Sequence, residues 1–321
     1  MADQPSSAQG RTEQAEEQSQ RARLEEAEAR AARYKQLSFD DGNIILQADT
    51  ASFCVHRSIL SLHSEVFRDM FAVGNSDGEE TRDGVPVLRL PDQDDELYEL
   101  LRALYLPQHI NRTIPMDFGL SLILLKMSTK YMVNFVRQEI ISRLIRCYPN
   151  SIRKYRTRRV RAEDKNHILA LEAALQHDVP VILPTVFLNC CQMSLDDILD
   201  GISIADGSIL HFTPSTLKVI LRGRQKLLDL QRLWLADFMP KFTSQLHCKE
   251  VREGLAQVFV SKSMVESFDM FAPLSGEGLC RACKHDMARE WWIMRADIWR
   301  KVPECFGLRW ESAPVAARVT R

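Results

Sequence analysis

No apolar run in this chain is long enough to cross a bilayer: the longest, Val179 to Leu188, is broken by Pro180 and Pro184. Charge of one sign is also missing. The 42 Lys and Arg face 43 Asp and Glu, for a formal net charge of −1, so no global field draws the chain to nucleic acid or an anionic membrane. Eight cysteines in 321 residues are too sparse for a disulfide scaffold. The 13 glycines are spread thinly, with no Gly-rich phosphate loop, no Gly-x-Ser-x-Gly elbow and no His-Glu-x-x-His helix. The expectation is a chain without enzymatic activity and without a cofactor. The first 36 residues are mainly Ala, Gln, Glu and Arg, with no apolar stretch of the secretory kind. A soluble chain of the cytoplasm, the nucleus or both is therefore expected, with reduced thiols and no membrane partner.

What is present divides into five segments. Residues 1–38 are a polyampholyte in which Leu24 is the lone large aliphatic residue between Met1 and Tyr34, so no coiled-coil seam exists. Disorder or a frayed helix is expected there. Residues 39–148 read as one α+β unit. A strand over Asn43–Ala48 and its hairpin partner Phe53–Val55 lead into two short helices, the second capped by Ser64. A polar loop, Gly74 to Gly84, precedes a third strand, Val85–Leu90, whose Pro86 argues for a sheet edge or the first turn of the strand. Helices carrying Leu97, Leu100, Leu101 and Leu104, then Leu122 to Leu144, complete the unit. Residues 149–165 form a basic linker, 166–310 a mostly helical C-terminal domain, and 311–321 a disordered tail.

Phe53-Cys54-Val55-His56-Arg57-Ser58-Ile59-Leu60 and Ser64-Glu65-Val66-Phe67-Arg68-Asp69-Met70-Phe71 contain no catalytic grammar. This stretch resembles the BTB/POZ domain, a protein-interaction and dimerisation module. Leu88-Arg89-Leu90-Pro91-Asp92, Leu101-Arg102-Ala103-Leu104-Tyr105 and Leu124-Leu125-Lys126-Met127-Ser128-Thr129-Lys130-Tyr131 resemble further family segments in the right order, with Ser128 where Ala is usual. The wording from Asp41 to Ala48 is most like BTB proteins of mushroom-forming (basidiomycete) fungi. The resemblance implies a short mixed sheet packed with helices, followed here by a helical extension. It also implies homodimerisation or assembly with other BTB proteins, with a substrate adaptor of a cullin-type ubiquitin ligase as an alternative; a nuclear regulator targeted by the basic linker is a second alternative.

Ile59, Leu62, Phe67 and Met70 are the candidate contacts of the dimer or partner face, with burial inside the chain as the competing reading. The resemblance places Arg57 in a charged pocket at the dimer groove. The family's acidic partner maps to Asn43, so Asp41 substitutes or Arg57 stays solvated. His56 reads as a structural histidine at a strand–helix junction. The cullin-associated apolar-x-Glu motif has no match around Glu79 and Glu80.

Cys280 and Cys283 have knuckle spacing, but zinc needs four ligands. The rest would have to come from His285, Cys305, the Cys190-Cys191 doublet or His247-Cys248. Arg156, Arg158, Arg159 and Arg161, with Arg153, Lys154 and Lys165, are a candidate nuclear-targeting stretch or a solvated loop. Nucleic acid is disfavoured because Tyr155 is the sole aromatic in that run. Trp291, Trp292, Trp299 and Trp310 are expected to lock the C-terminal helices into the domain.

Overall fold

The computed structural model describes Arg21, Glu25 and residues 27–73, 80–110, 117–157, 162–245 and 280–310. The chain divides into two compact units, Met1–Glu139 and Ile140–Arg321. Helix α6 (Asn134–Cys147) contains the division.

In the first unit, residues 27–35 form helix α1, as their Ala, Glu and Arg content favours. The chain after it does not stay solvated, which corrects the tail expectation for this part of residues 1–38. Tyr34 and Leu37 are buried because they bring apolar surface that the preceding residues lack. The Tyr34 ring lies 5.4 Å from both Phe53 and Tyr98, and its hydroxyl donates to Asp95 at 2.9 Å. Arg33 also bonds Asp95 and lies over the Tyr98 ring.

The sheet runs β2-β1-β4-β3, built from β1 (Ile44–Gln47), β2 (Ser52–Val55), β3 (Thr81–Arg82) and β4 (Val85–Arg89). β1 pairs antiparallel with β2 and parallel with β4, while β3 and β4 form an antiparallel hairpin. Ile44, Ile45 and Leu46 are all buried in succession, as a strand covered on both faces requires. On β2 the period of two returns, with Phe53 and Val55 buried between less buried neighbours.

β3 lies inside the segment expected to be a polar loop. Its turn is Asp83-Gly84, with φ of 53° and 81°, the two positive angles that a tight two-residue hairpin of the mirror-image type needs. β4 is therefore interior rather than an edge. Pro86 is tolerated because β1 pairing begins only at Val87, one residue further on.

Between β2 and β3 run α2 (Arg57–His63) and α3 (Glu65–Val73). Ser64 starts α3 by accepting the Phe67 N–H at 3.0 Å, and its hydroxyl donates to the Tyr131 carbonyl at 2.5 Å. α4 (Asp94–Tyr105) opens on Asp94, Asp95 and Glu96, acids that suit the positive helix end. Asp94 accepts the Thr50 and Ala51 N–H groups at 2.9 and 2.8 Å and also the Thr50 hydroxyl. α5 (Phe118–Lys130) is capped by Asp117, whose carboxylate accepts the Leu120 N–H.

The second unit is helical. α7 (Ile152–Thr157) lies within the stretch expected to be a linker, and its Tyr155 is buried, with the hydroxyl donating to Asn189 at 2.7 Å. α8 (Asp164–Gln176) is followed by α9 (Leu183–Cys190), every residue of which is buried. α10 (Leu195–Leu199) precedes a minimal hairpin, β5 (Ile202–Ser203) with β6 (Ile209–Leu210), strands too short to show alternation in sequence.

Thr213 and Pro214 start the long α11 (Pro214–Gln245), Thr213 accepting the Thr216 N–H. Arg224 on α11 is buried and donates to the Cys191 and Met193 carbonyls at 2.7 and 3.0 Å, satisfying backbone groups past the end of α9. α12 (Arg281–Cys305) then leads to Phe306, which stacks on Phe187 at 4.9 Å.

Candidate protein-interaction surface

Two layers of residues define the α2–α3 corner. The inner layer is Phe67, fully buried, stacked on Tyr131 with ring centroids 4.5 Å apart and planes only 3° from parallel. Phe67 therefore offers nothing to a partner, which corrects its place among the contacts: its ring is used up in joining α3 to the end of α5. Tyr131 and Lys130 both bond the buried Asp92, so the carboxylate is neutralised and hydrogen-bonded where it sits. Burial, then the Asp92 hydrogen bond, raises the Tyr131 pKa.

The outer layer is apolar and solvent-facing. Leu62 at the end of α2 is 77% exposed, and on α3 Met70 is 39% and Val73 81% exposed. Met70 and Val73 lie three apart and share a side of the helix. Ile59 is half-buried one turn before Leu62. The next residue, His63, lies 5.1 Å from the partly exposed Phe135 ring. Of the four expected contacts, three thus keep solvent access and one is core.

Arg57 meets neither expected condition. Its guanidinium donates to the Phe71 carbonyl at 3.0 Å and lies over the Phe71 ring at 4.9 Å, holding the last turn of α3. Asn43 bonds the Arg57 backbone N–H instead, at 2.8 Å, and so serves the start of α2. Asp41 goes to His56, 3.2 Å from Nε2. The other His56 nitrogen is 3.1 Å from the Tyr105 hydroxyl, which also accepts the His56 backbone N–H. Burial raises the Tyr105 pKa, so that hydroxyl keeps its proton. This is an anchor for the strand–helix junction.

The remaining candidates divide by position. Of the loop around Glu79 and Glu80, residues 74–79 lie outside the described residues, and Glu80 grips Arg89 with two bonds of 2.9 Å. Cys280 is exposed at the start of α12 and Cys283 is buried. His247 and Cys248 lie outside the described residues, among which no three His, Cys, Asp or Glu gather around a metal position. Cys190, Cys191 and Cys305 are buried thiols whose pKa is raised by desolvation, that of Cys305 to about 11, so they stay protonated. Arg156 is described and exposed, whereas Arg158, Arg159 and Arg161 lie outside the described residues. No described helix is long and apolar enough to cross a membrane.

Sheet order, capped helix pair and Tyr131 lock together define the class of this unit. Residues 36–147 match the BTB/POZ domain family. The chain thus carries a BTB domain, in general a non-enzymatic module for binding other proteins, ahead of a mostly helical region. No curated protein matches the chain.

Proposed function

We propose that this protein is a non-enzymatic interaction partner that assembles with itself or with other BTB proteins through the α2–α3 surface. The observation that carries this reading is the contrast between layers. Phe67 and Tyr131 already satisfy the core, yet Leu62, Met70 and Val73 stay in solvent. Covering apolar surface yields about 25 cal/mol per Å², and a partner chain supplies the cover that this unit does not. Ile59 and Phe135 extend the same surface at its margin, and Arg57 serves it indirectly by fixing the end of α3.

The full chain, examined by sedimentation over a concentration series, is expected to pass from monomer to dimer. A chain that stays monomeric throughout, and captures no BTB protein when mixed with a panel of them, contradicts the reading.

A further inference from the structure

The described part of the basic run, on α7, is a presented surface. Among residues 151–162 there is no acid, while Arg153, Lys154, Arg156, Arg158, Arg159 and Arg161 are all cations. The structure folds the first three onto α7, where each is exposed and Tyr155 is turned inward. α7 stays in place because Tyr155 bonds Asn189 and packs 5.1 Å from Trp299. The basic side chains therefore stand on a fixed helix.

Two further observations give this surface a chemistry. First, its charge is uncompensated among the described residues. Three acids on α12 have partners on the same helix: Asp286 with His285, Glu290 with Arg289, and Asp297 with Arg300 and Lys301. Glu163, just after the run, pairs with Lys165. None of Arg153, Lys154 and Arg156 has an acidic partner among the described residues.

Second, the guanidinium of Arg156 lies over the Trp292 ring at 5.0 Å, and Trp292 is itself 39% exposed. A flat cation backed by an indole is a platform for a nucleobase, which stacks on guanidinium planes and aromatic faces alike. Adjacent cations suit the phosphates that such a base carries. A carboxylate-bearing peptide would use the charge but not the platform.

We propose that the α7 surface, with Trp292 behind it, binds single-stranded nucleic acid, its phosphates on Arg153 and Lys154 and a base stacked on Arg156. The proposal is independent of self-assembly through the BTB domain, because it uses residues of the second unit alone.

Fluorescence anisotropy of labelled oligouridylate with the full chain, over a range of salt, tests it. Changing Arg153, Lys154 and Arg156 together to Gln is expected to weaken binding at least about tenfold and to flatten the salt slope by about two. Arg156→Lys keeps the charge but loses the plane, and should still weaken binding several-fold. Polyglutamate should not compete, and the far-UV spectrum of each variant should match the parent. The proposal is overturned by no binding at low salt, by Arg156→Lys binding as tightly as the parent, or by polyglutamate competing at equal charge, which would make the surface one for acidic proteins.

Discussion

At the residue scale, neighbours in sequence have opposite work. Phe67→Ala removes a ring stacked between Phe71 and Tyr131 and should cost about 3–5 kcal/mol in denaturant unfolding. Leu62→Ala, at an exposed site, should change stability by no more than about 0.5 kcal/mol. Equal losses at the two sites would mean that Leu62 belongs to the core. Tyr34 gives a pH test. Burial, then its bond to Asp95 and that residue's charge, pushes its pKa up to about 12. The folded state thus holds the proton more tightly than the unfolded chain, where tyrosine titrates near about 10. Its contribution is complete below the unfolded value and is lost as pH rises through the window up to about 12. Tyr34→Phe should lessen that alkaline loss relative to the parent, read by denaturant unfolding at successive pH values. Identical alkaline limbs would show that α1 is not docked through Tyr34.

Elements show how far local pattern reaches. Ser64 was legible as a cap because a side-chain oxygen just before an apolar run has one obvious use. Asp83-Gly84 carried an equally clear turn signal, yet β3 hid in an acidic stretch because its two residues are too few for alternation. The role of Phe67 was not legible: helical spacing says that a face must be covered, and says nothing about by which chain. Nor was the contact of Arg156 with Trp292, which joins helices far apart in sequence. Gly223 on α11 is a third case, since its reason appears only in three dimensions. A Cβ there would collide with the Phe306 ring at Cε1, and the stack on Phe187 holds that ring in place. Gly223→Ala would gain up to about 1 kcal/mol of helix propensity and lose about 1–3 kcal/mol to overpacking. A lower melting temperature is therefore expected, and a higher one would show that Phe306 moves freely.

On the scale of the whole molecule, segment order identified the first unit, because four spaced motifs constrain one another more than any one does alone. In the second unit only helix content was readable in the sequence; Ile168 and Leu171, at helical spacing on α8, are both buried. Its assembly depends on Arg224, Tyr155 and Phe306, whose partners no periodicity reveals. In the first unit Leu62 and Val73 are apolar and exposed, and the proposal is that they meet another chain. Sedimentation equilibrium of full-length Leu62→Asp/Val73→Asp beside the parent tests this most directly. A parent dimer, and a variant that is monomeric with an unchanged unfolding midpoint, is the predicted result. A variant that dimerises as tightly as the parent would contradict it.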